Sequence, residues 1–352
     1  MRSSSLSTAL LLSLVPSTFA AGILRFGCSR ITVERLDPLV TPGQNPSPHV
    51  HQVVGGNAFA ATINHTDVAT LADCTSCSFS EDFSNYWTAN LYFQARNGSY
   101  KRVPQMSNRF LKGSNEGMTI YYFPEDLRSN VTAFKPGFRM LVGDASLRGP
   151  EGHTPKNCFR CFTGPNFEGD NAAPCADPVL DTPHLPTRPC LGGIRSNIHF
   201  PTCWDGVRLD PDDHKAHVAF SVGVNGTYAC PATHPVKIPQ VMLEIVWDTT
   251  AFNDPSDWPA TSDNTTATQP FVLSTGDRTG YSQHGDYVFG WKGDALQRAM
   301  DSTSGCSAST CGALTSQSFV TANRCLVKRQ VHEDVEGWLE QLPGDETMSS
   351  MQ

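Results

Sequence analysis

Hydrophobic residues along this chain come in short runs that alternate with polar ones, and the runs stop at Gly, Pro, Asn or Asp. A period of two puts alternate side chains on one face of a strand, so the pattern predicts β-structure rather than helix. Strands are predicted at Arg30–Leu36, Val50–Val54, Tyr86–Ala95, Met118–Phe123, Phe138–Val142, His217–Val222, Val241–Trp247 and Tyr287–Trp291. Helical periodicity is confined to Asp294–Asp301 and to Glu333–Leu342, the second predicting an amphipathic terminal helix. No repeat, low-complexity linker or sustained charge run divides the chain. The expected architecture is mainly β: a single β-sandwich or jelly-roll-like domain with long disulfide-braced loops over residues 21–330. A short C-terminal helix and tail are expected at 331–352.

Residues 1–20 read as a secretory signal peptide, with Arg2, an apolar run from Leu10 to Val15, and the small residues Thr18 and Ala20 before the cut. That run is too short to span a bilayer and no later one is longer, so a free, secreted product without membrane insertion is expected. Removing Arg2 takes the formal charge from −8 to −9, a balance that argues against nucleic acid and anionic membrane surfaces as partners. In an oxidising compartment the twelve cysteines predict a disulfide framework rather than thiol chemistry. Cys74–Cys77 and Cys158–Cys161 form CxxC pairs that could hold zinc, but their wide separation favours disulfides. Sequons at Asn64, Asn97, Asn130, Asn225 and Asn264 agree with secretion.

The most concentrated candidate chemistry lies in Asp37–Phe59, DPLVTPGQNPSPHVHQVVGGNAF. Its prolines rigidify a loop that runs into a strand on which His49 and His51 share a face, roughly 7 Å apart along the backbone. Two imidazoles so placed can ligate one divalent metal ion, with His217 or His284 as a third ligand, or act as acid and base. The strand from Gln240 to Asp248 has one apolar face and one polar face carrying Gln240 and Glu244. Glu244 and Asp248 stand roughly 13 Å apart in a strand, beyond the ~5–9.5 Å of glycosidase carboxylate pairs. A partner for Glu244 must therefore come from elsewhere. Asp205, beside Trp204 and Cys203, is one candidate, and the His284-Gly285-Asp286 block is another. The expected cleft gathers His49, His51, Asp205, His284 and Asp286 over a floor containing Glu244. Asn57, Trp204, Gln240, Tyr287 and Trp291 are its candidate substrate contacts. Metal ligation is assigned to His49, His51 and His217 as candidates. No nucleophile elbow, phosphate-binding loop or zinc-protease motif occurs.

The blocks DPLVTPGQNPSPHVHQVVGGNAF, CTSCSFSEDFSNYWTANLYFQARNGSYKRVPQ, FKPGFRMLVGD, FPTCWDGVRLDPDDHKAHVAF, CPATHPVKIPQVMLEIVWDT and GYSQHGDYVFGWKGDALQRAMD resemble, in order, the secreted and mostly fungal family catalogued as domain of unknown function 1996. The resemblance runs from about Phe26 to Cys325. It implies an extracellular fungal protein and leans towards cell-wall or plant polysaccharide as partner. The expected function is a glycan-active enzyme of hydrolase or lyase type. The alternatives are a non-catalytic carbohydrate-binding or wall-associated protein, and a metal-dependent extracellular enzyme using His49 and His51.

Overall fold

A computed structural model describes residues 23–345, apart from 65, 107–111, 127–128, 155, 225–226, 255, 259–268, 303–305 and 307–310. The sequons at Asn225 and Asn264 lie outside the described residues, while Asn64, Asn97 and Asn130 are exposed.

Two antiparallel sheets dominate. The larger runs Leu24–Cys28, Met118–Phe123, Gln240–Trp247, Ile194–His199, Cys158–Cys161 and Asp181–Thr182, with Gln105–Met106 on the end of Gln240–Trp247. The second has five strands in the order Arg30–Glu34, His51–Gly55, Asn85–Ala89, Gly285–Val288 and Arg139–Val142. Because side chains alternate along a strand, each sheet offers one face to the other. Val241, Leu243, Ile245 and Trp247 from the large sheet share one buried core with Val54, Tyr86, Met140 and Tyr287 from the five-stranded sheet. The opposite face of the five-stranded sheet carries Val53, Trp87 and Val288 into a smaller core, closed by Leu36, Leu39, Phe59 and Ile63 from the loop segments beneath it.

Most predicted strands are present with shifted ends, and three differences stand out. The run Tyr86–Ala95 divides into Asn85–Ala89 and Leu91–Gln94, which belong to different sheets. Buried Asn90 is the break, its amide donating to Ser274 Oγ at 3.1 Å. His217–Val222 becomes two short strands, Val218–Ala219 and Val222–Val224. The terminal helix predicted at Glu333–Leu342 does not form. Gly337 takes φ 78° in its middle, Glu333 and Glu336 are drawn to Arg35 and Arg102 at 2.6 and 2.7 Å, and Trp338–Leu339 pairs as a strand with Tyr100–Lys101. Helix is limited to Ala295–Asp301 and Phe319–Ala322, plus two 3-10 turns, among the described residues.

All twelve cysteines are in six disulfides: Cys28–Cys77, Cys74–Cys325, Cys158–Cys175, Cys161–Cys190, Cys203–Cys230 and Cys306–Cys311. Each CxxC pair is split between two bonds, which removes the zinc-thiolate alternative. No helix among the described residues is long and apolar enough to cross a membrane.

Candidate metal centre

Three histidines far apart in sequence meet on the outer face of the five-stranded sheet, away from the large sheet. His51 opens the strand His51–Gly55 and pairs with Ala89 of the next strand. Continuing the register of Gly285–Val288 sets His284 beside Ala89 from the other side. The short Ala89 side chain lets the imidazoles lean across it, with ring centroids 5.6 Å apart. His49 arrives from the end of the Pro-rich loop, its ring 4.3 Å from that of His51 and 5.1 Å from that of His284.

The loop is held firmly enough to aim that ring. Asp37 Oδ1 accepts from the amides of Leu39 and Val40 at 3.1 and 3.0 Å. Arg35 spans the turn, donating to the Ser47 carbonyl at 3.1 Å while paired to Glu333 at 2.6 Å. The Ser47 hydroxyl in turn donates to the His49 carbonyl at 3.2 Å.

The nitrogen chemistry follows from the outer hydrogen bonds. His51 Nδ1 lies 3.0 Å from the Leu36 carbonyl and His284 Nδ1 lies 2.9 Å from the Ser282 carbonyl. A carbonyl only accepts, so each Nδ1 carries a proton, and in the neutral ring each Nε2 is then a bare lone pair. Burial lowers the His51 pKa to about 4 and depresses those of His49 and His284, so the rings are neutral near pH 7. Yet His51 Nε2 and His284 Nε2 stand 3.4 Å apart, and His49 Nε2 stands 3.2 Å from His284 Nε2. His49 can donate one proton into this cluster, but one proton does not relieve two converging lone pairs. A shared cation does. Two nitrogens bound at 2.0–2.1 Å to one tetrahedral ion stand about 3.3 Å apart, which matches the spacing seen. The three nitrogens lie within 4.8 Å of one another.

Asp286 adds a second unusual feature. It projects from the same sheet face, fully buried, with Oδ2 3.8 Å from His284 Nε2 and neither oxygen hydrogen-bonded within the protein. Burial pushes its carboxyl well above the usual carboxylate range, with the charge of Asp37 acting in the same direction. Gln283, next to His284, and Asn90, next to Ala89, are also buried with both ends of their side-chain amides lacking partners. Such groups cost roughly 1–3 kcal/mol each when left unpaired. The other cysteine and carboxylate cluster, Cys28, Cys77 and Asp82, cannot ligate a metal in the same way, because both sulfurs are in a disulfide.

The remaining predicted residues do not join this cluster. Glu244 lies on the opposite outer face of the sandwich, because Asp286 and Glu244 alternate with core residues of their respective sheets and point away from the shared core. The single cleft is therefore corrected to two separate faces. Asp205 shapes a surface turn, accepting from the amides of Val207 and Arg208 and pairing with the Arg208 side chain at 2.7 Å. His217 is buried against Phe138, ring centroids 4.9 Å apart, and is absent from the histidine group.

Tyr287 and Trp291 are core residues, both bonded to the Tyr122 hydroxyl, at 3.0 and 3.2 Å. Trp204 is buried, with its indole donating to the Arg208 carbonyl at 2.5 Å. Asn57 braces a loop by accepting from the amides of Asp73 and Cys74. The three aromatics are buried and present no free contact surface, while Asn57 is half-buried.

Glu244 and Gln240 instead line a groove of about 590 Å³ on the outer face of the large sheet. Tyr121 donates to Glu244 at 3.0 Å, and Arg25 and Arg195 approach it at 3.8 and 3.9 Å. His199 lines the same groove, and burial lowers its pKa to about 4. Sequence reading missed Arg195 and Tyr121 as groove residues. The alternation Arg195, Asn197, His199 was the available signal, since it marks one polar face of a strand.

A family model described as Domain of unknown function (DUF1996) matches residues 37–291. That span contains all three histidines, Asp286 and Glu244. No curated protein and no solved structure matches.

Proposed function

This chain belongs to the DUF1996 family, and we propose that it is a secreted metal-dependent enzyme whose centre is formed by His49, His51 and His284. The observation that carries the reading is the pair of bare Nε2 atoms of His51 and His284, 3.4 Å apart and each fixed by an outer Nδ1 hydrogen bond. Such outer bonds orient ligating imidazoles and set their tautomers. Imidazole donors suit zinc, copper, nickel or iron(II) rather than calcium or magnesium. Three protein nitrogens are the pattern of catalytic rather than structural zinc sites, and a bound divalent ion would supply Lewis-acid polarisation. Asp286, whose Oδ2 lies 3.8 Å from His284 Nε2, is placed to deliver or take a proton beside the ligands. Six disulfides fit the oxidising compartment that the leader implies.

Cell-wall or plant polysaccharide is the substrate class of this proposal, with hydrolysis or elimination as the reaction. Metal content of the purified protein, measured by mass spectrometry after zinc or copper supplementation, tests the centre. About one equivalent is expected, with chelation abolishing polysaccharide turnover. Less than about a tenth of an equivalent overturns it, as does turnover unaffected by metal removal.

A further inference from the structure

The groove around Glu244 lies on the face of the sandwich opposite the histidines and is not used by the proposed metal chemistry. Its volume of about 590 Å³ falls within the roughly 300–1,000 Å³ of small-molecule sites. Its floor is built from buried side chains: Glu244, Gln240, Arg195 and His199 are each less than a tenth exposed. Arg195 is a clear case, with its side chain only 4 % exposed and both Nε and Nη2 without hydrogen-bond partners in the protein. The floor strands are pinned behind it by Cys158–Cys175, and Cys175 itself lines the groove.

The charges indicate the kind of ligand. Three cations line the groove, and each faces a carboxylate that also lines it. Lys156 pairs with Glu125, Arg195 Nη1 meets Asp170 at 2.6 Å, and Arg25 meets Glu244 at 3.8 Å. A polyanion or polycation would compete with these pairs, and where it strips the partner from Glu244 or Arg195, 5 % and 4 % exposed, a buried charge is left without compensation at considerable cost. An uncharged hydroxyl breaks nothing, because it both donates and accepts and can bridge a guanidinium and a carboxylate. Tyr228, 44 % exposed at the rim, offers an aromatic face with Lys156 Nζ 5.7 Å from its centre. A rigid aromatic rim over a charge-balanced polar floor suits a ring that is apolar on its faces and hydroxylated at its edge.

We infer that this groove is a recognition site for a neutral oligosaccharide, separate from the metal centre. It shares the glycan expectation of the proposed function but requires no metal. The test is calorimetric titration of the full secreted chain with cellohexaose, laminarihexaose, xylohexaose and chitohexaose, and with hexagalacturonate as the charged comparison. At least one neutral hexasaccharide is expected to bind at least tenfold more tightly than hexagalacturonate. Tyr228→Ala, at an exposed position, should weaken that binding about tenfold, and Glu244→Gln should do so comparably, both with wild-type metal content. The inference is overturned if no neutral hexasaccharide binds, if hexagalacturonate binds more tightly, or if Tyr228→Ala leaves the affinity unchanged. Lost glycan binding with one equivalent of metal sinks this site alone, and groove binding without metal sinks only the metal centre.

Discussion

On one outer face of the sandwich, two imidazoles turn bare nitrogens toward each other and a buried carboxyl stands beside them without a partner. On the other, each charged group in the groove has an opposite charge close by. Both faces are built from alternate residues of antiparallel strands, so the backbone does not distinguish them. The difference lies in compensation. A face that leaves lone pairs and a carboxyl unmatched is disposed toward a compact positive charge, which repays several buried groups at once. A face with its charges already matched is disposed toward a ligand that brings none.

The comparison breaks most sharply at the histidines. His284→Ala removes one nitrogen of three and should lower bound metal from about one equivalent to below about a tenth. Glycan affinity in the groove should stay within about twofold. Joint loss of both would mean that the two faces are not independent.

Asp82, in the core between the faces, provides a pH test that touches neither. Burial raises its pKa to about 7 from 3.8, against the hydrogen bonds from Ser84 and Tyr86. Between those values the folded state keeps a proton that the unfolded chain has lost. This contribution is complete below pH 3.8 and disappears as pH rises through 7, a change of about 4 kcal/mol. Urea unfolding of Asp82→Asn across pH 4 to 8 should show that slope removed relative to the parent, and an unchanged slope would contradict the assignment.

Asp286→Asn keeps the side chain's size and shape, so thermal stability should hold within a few degrees. Metal affinity should fall by about 10–100-fold at most, while turnover should fall further, because an amide cannot pass a proton. Equal losses in both would reduce Asp286 to a positioning role. The smallest effect is expected from Tyr121→Phe, which removes the donor to Glu244 at 3.0 Å. About 1 kcal/mol of stability should be lost by denaturant unfolding, with metal content unchanged.

Some of this was legible in the sequence and some was not. His49 and His51 were legible as neighbours because a proline-fixed loop runs into a strand there, although the strand opens only at His51 and His49 reaches it from the loop. His284 and Asp286 were legible as a polar block broken by Gly285. The same alternation that exposed Glu244 as a polar-face residue could not say which of two outer faces it occupied, since that depends on which sheet each strand joins. Tyr287 and Trp291 show the same gap: an aromatic on an alternating strand reads alike whether its face meets solvent or a second sheet. The failed helix at Glu333–Leu342 is a case of local periodicity overruled by distant partners, Arg35 and Arg102, which hold its glutamates along an extended path.

The two disulfides of the first CxxC pair overlap in sequence. Cys28–Cys77 encloses one stretch, Cys74–Cys325 encloses the next, and the two stretches share residues 74–77. Any single backbone cut between Cys28 and Cys325 therefore leaves the two pieces covalently joined. A protease can nick this molecule almost anywhere along its folded length without releasing a fragment. A nicked sample would run as one band on a non-reducing gel and separate only after reduction. The protection holds for one cut at a time: residues 78–157 and 231–305 contain no cysteine, so two cuts within either stretch would free the segment between them.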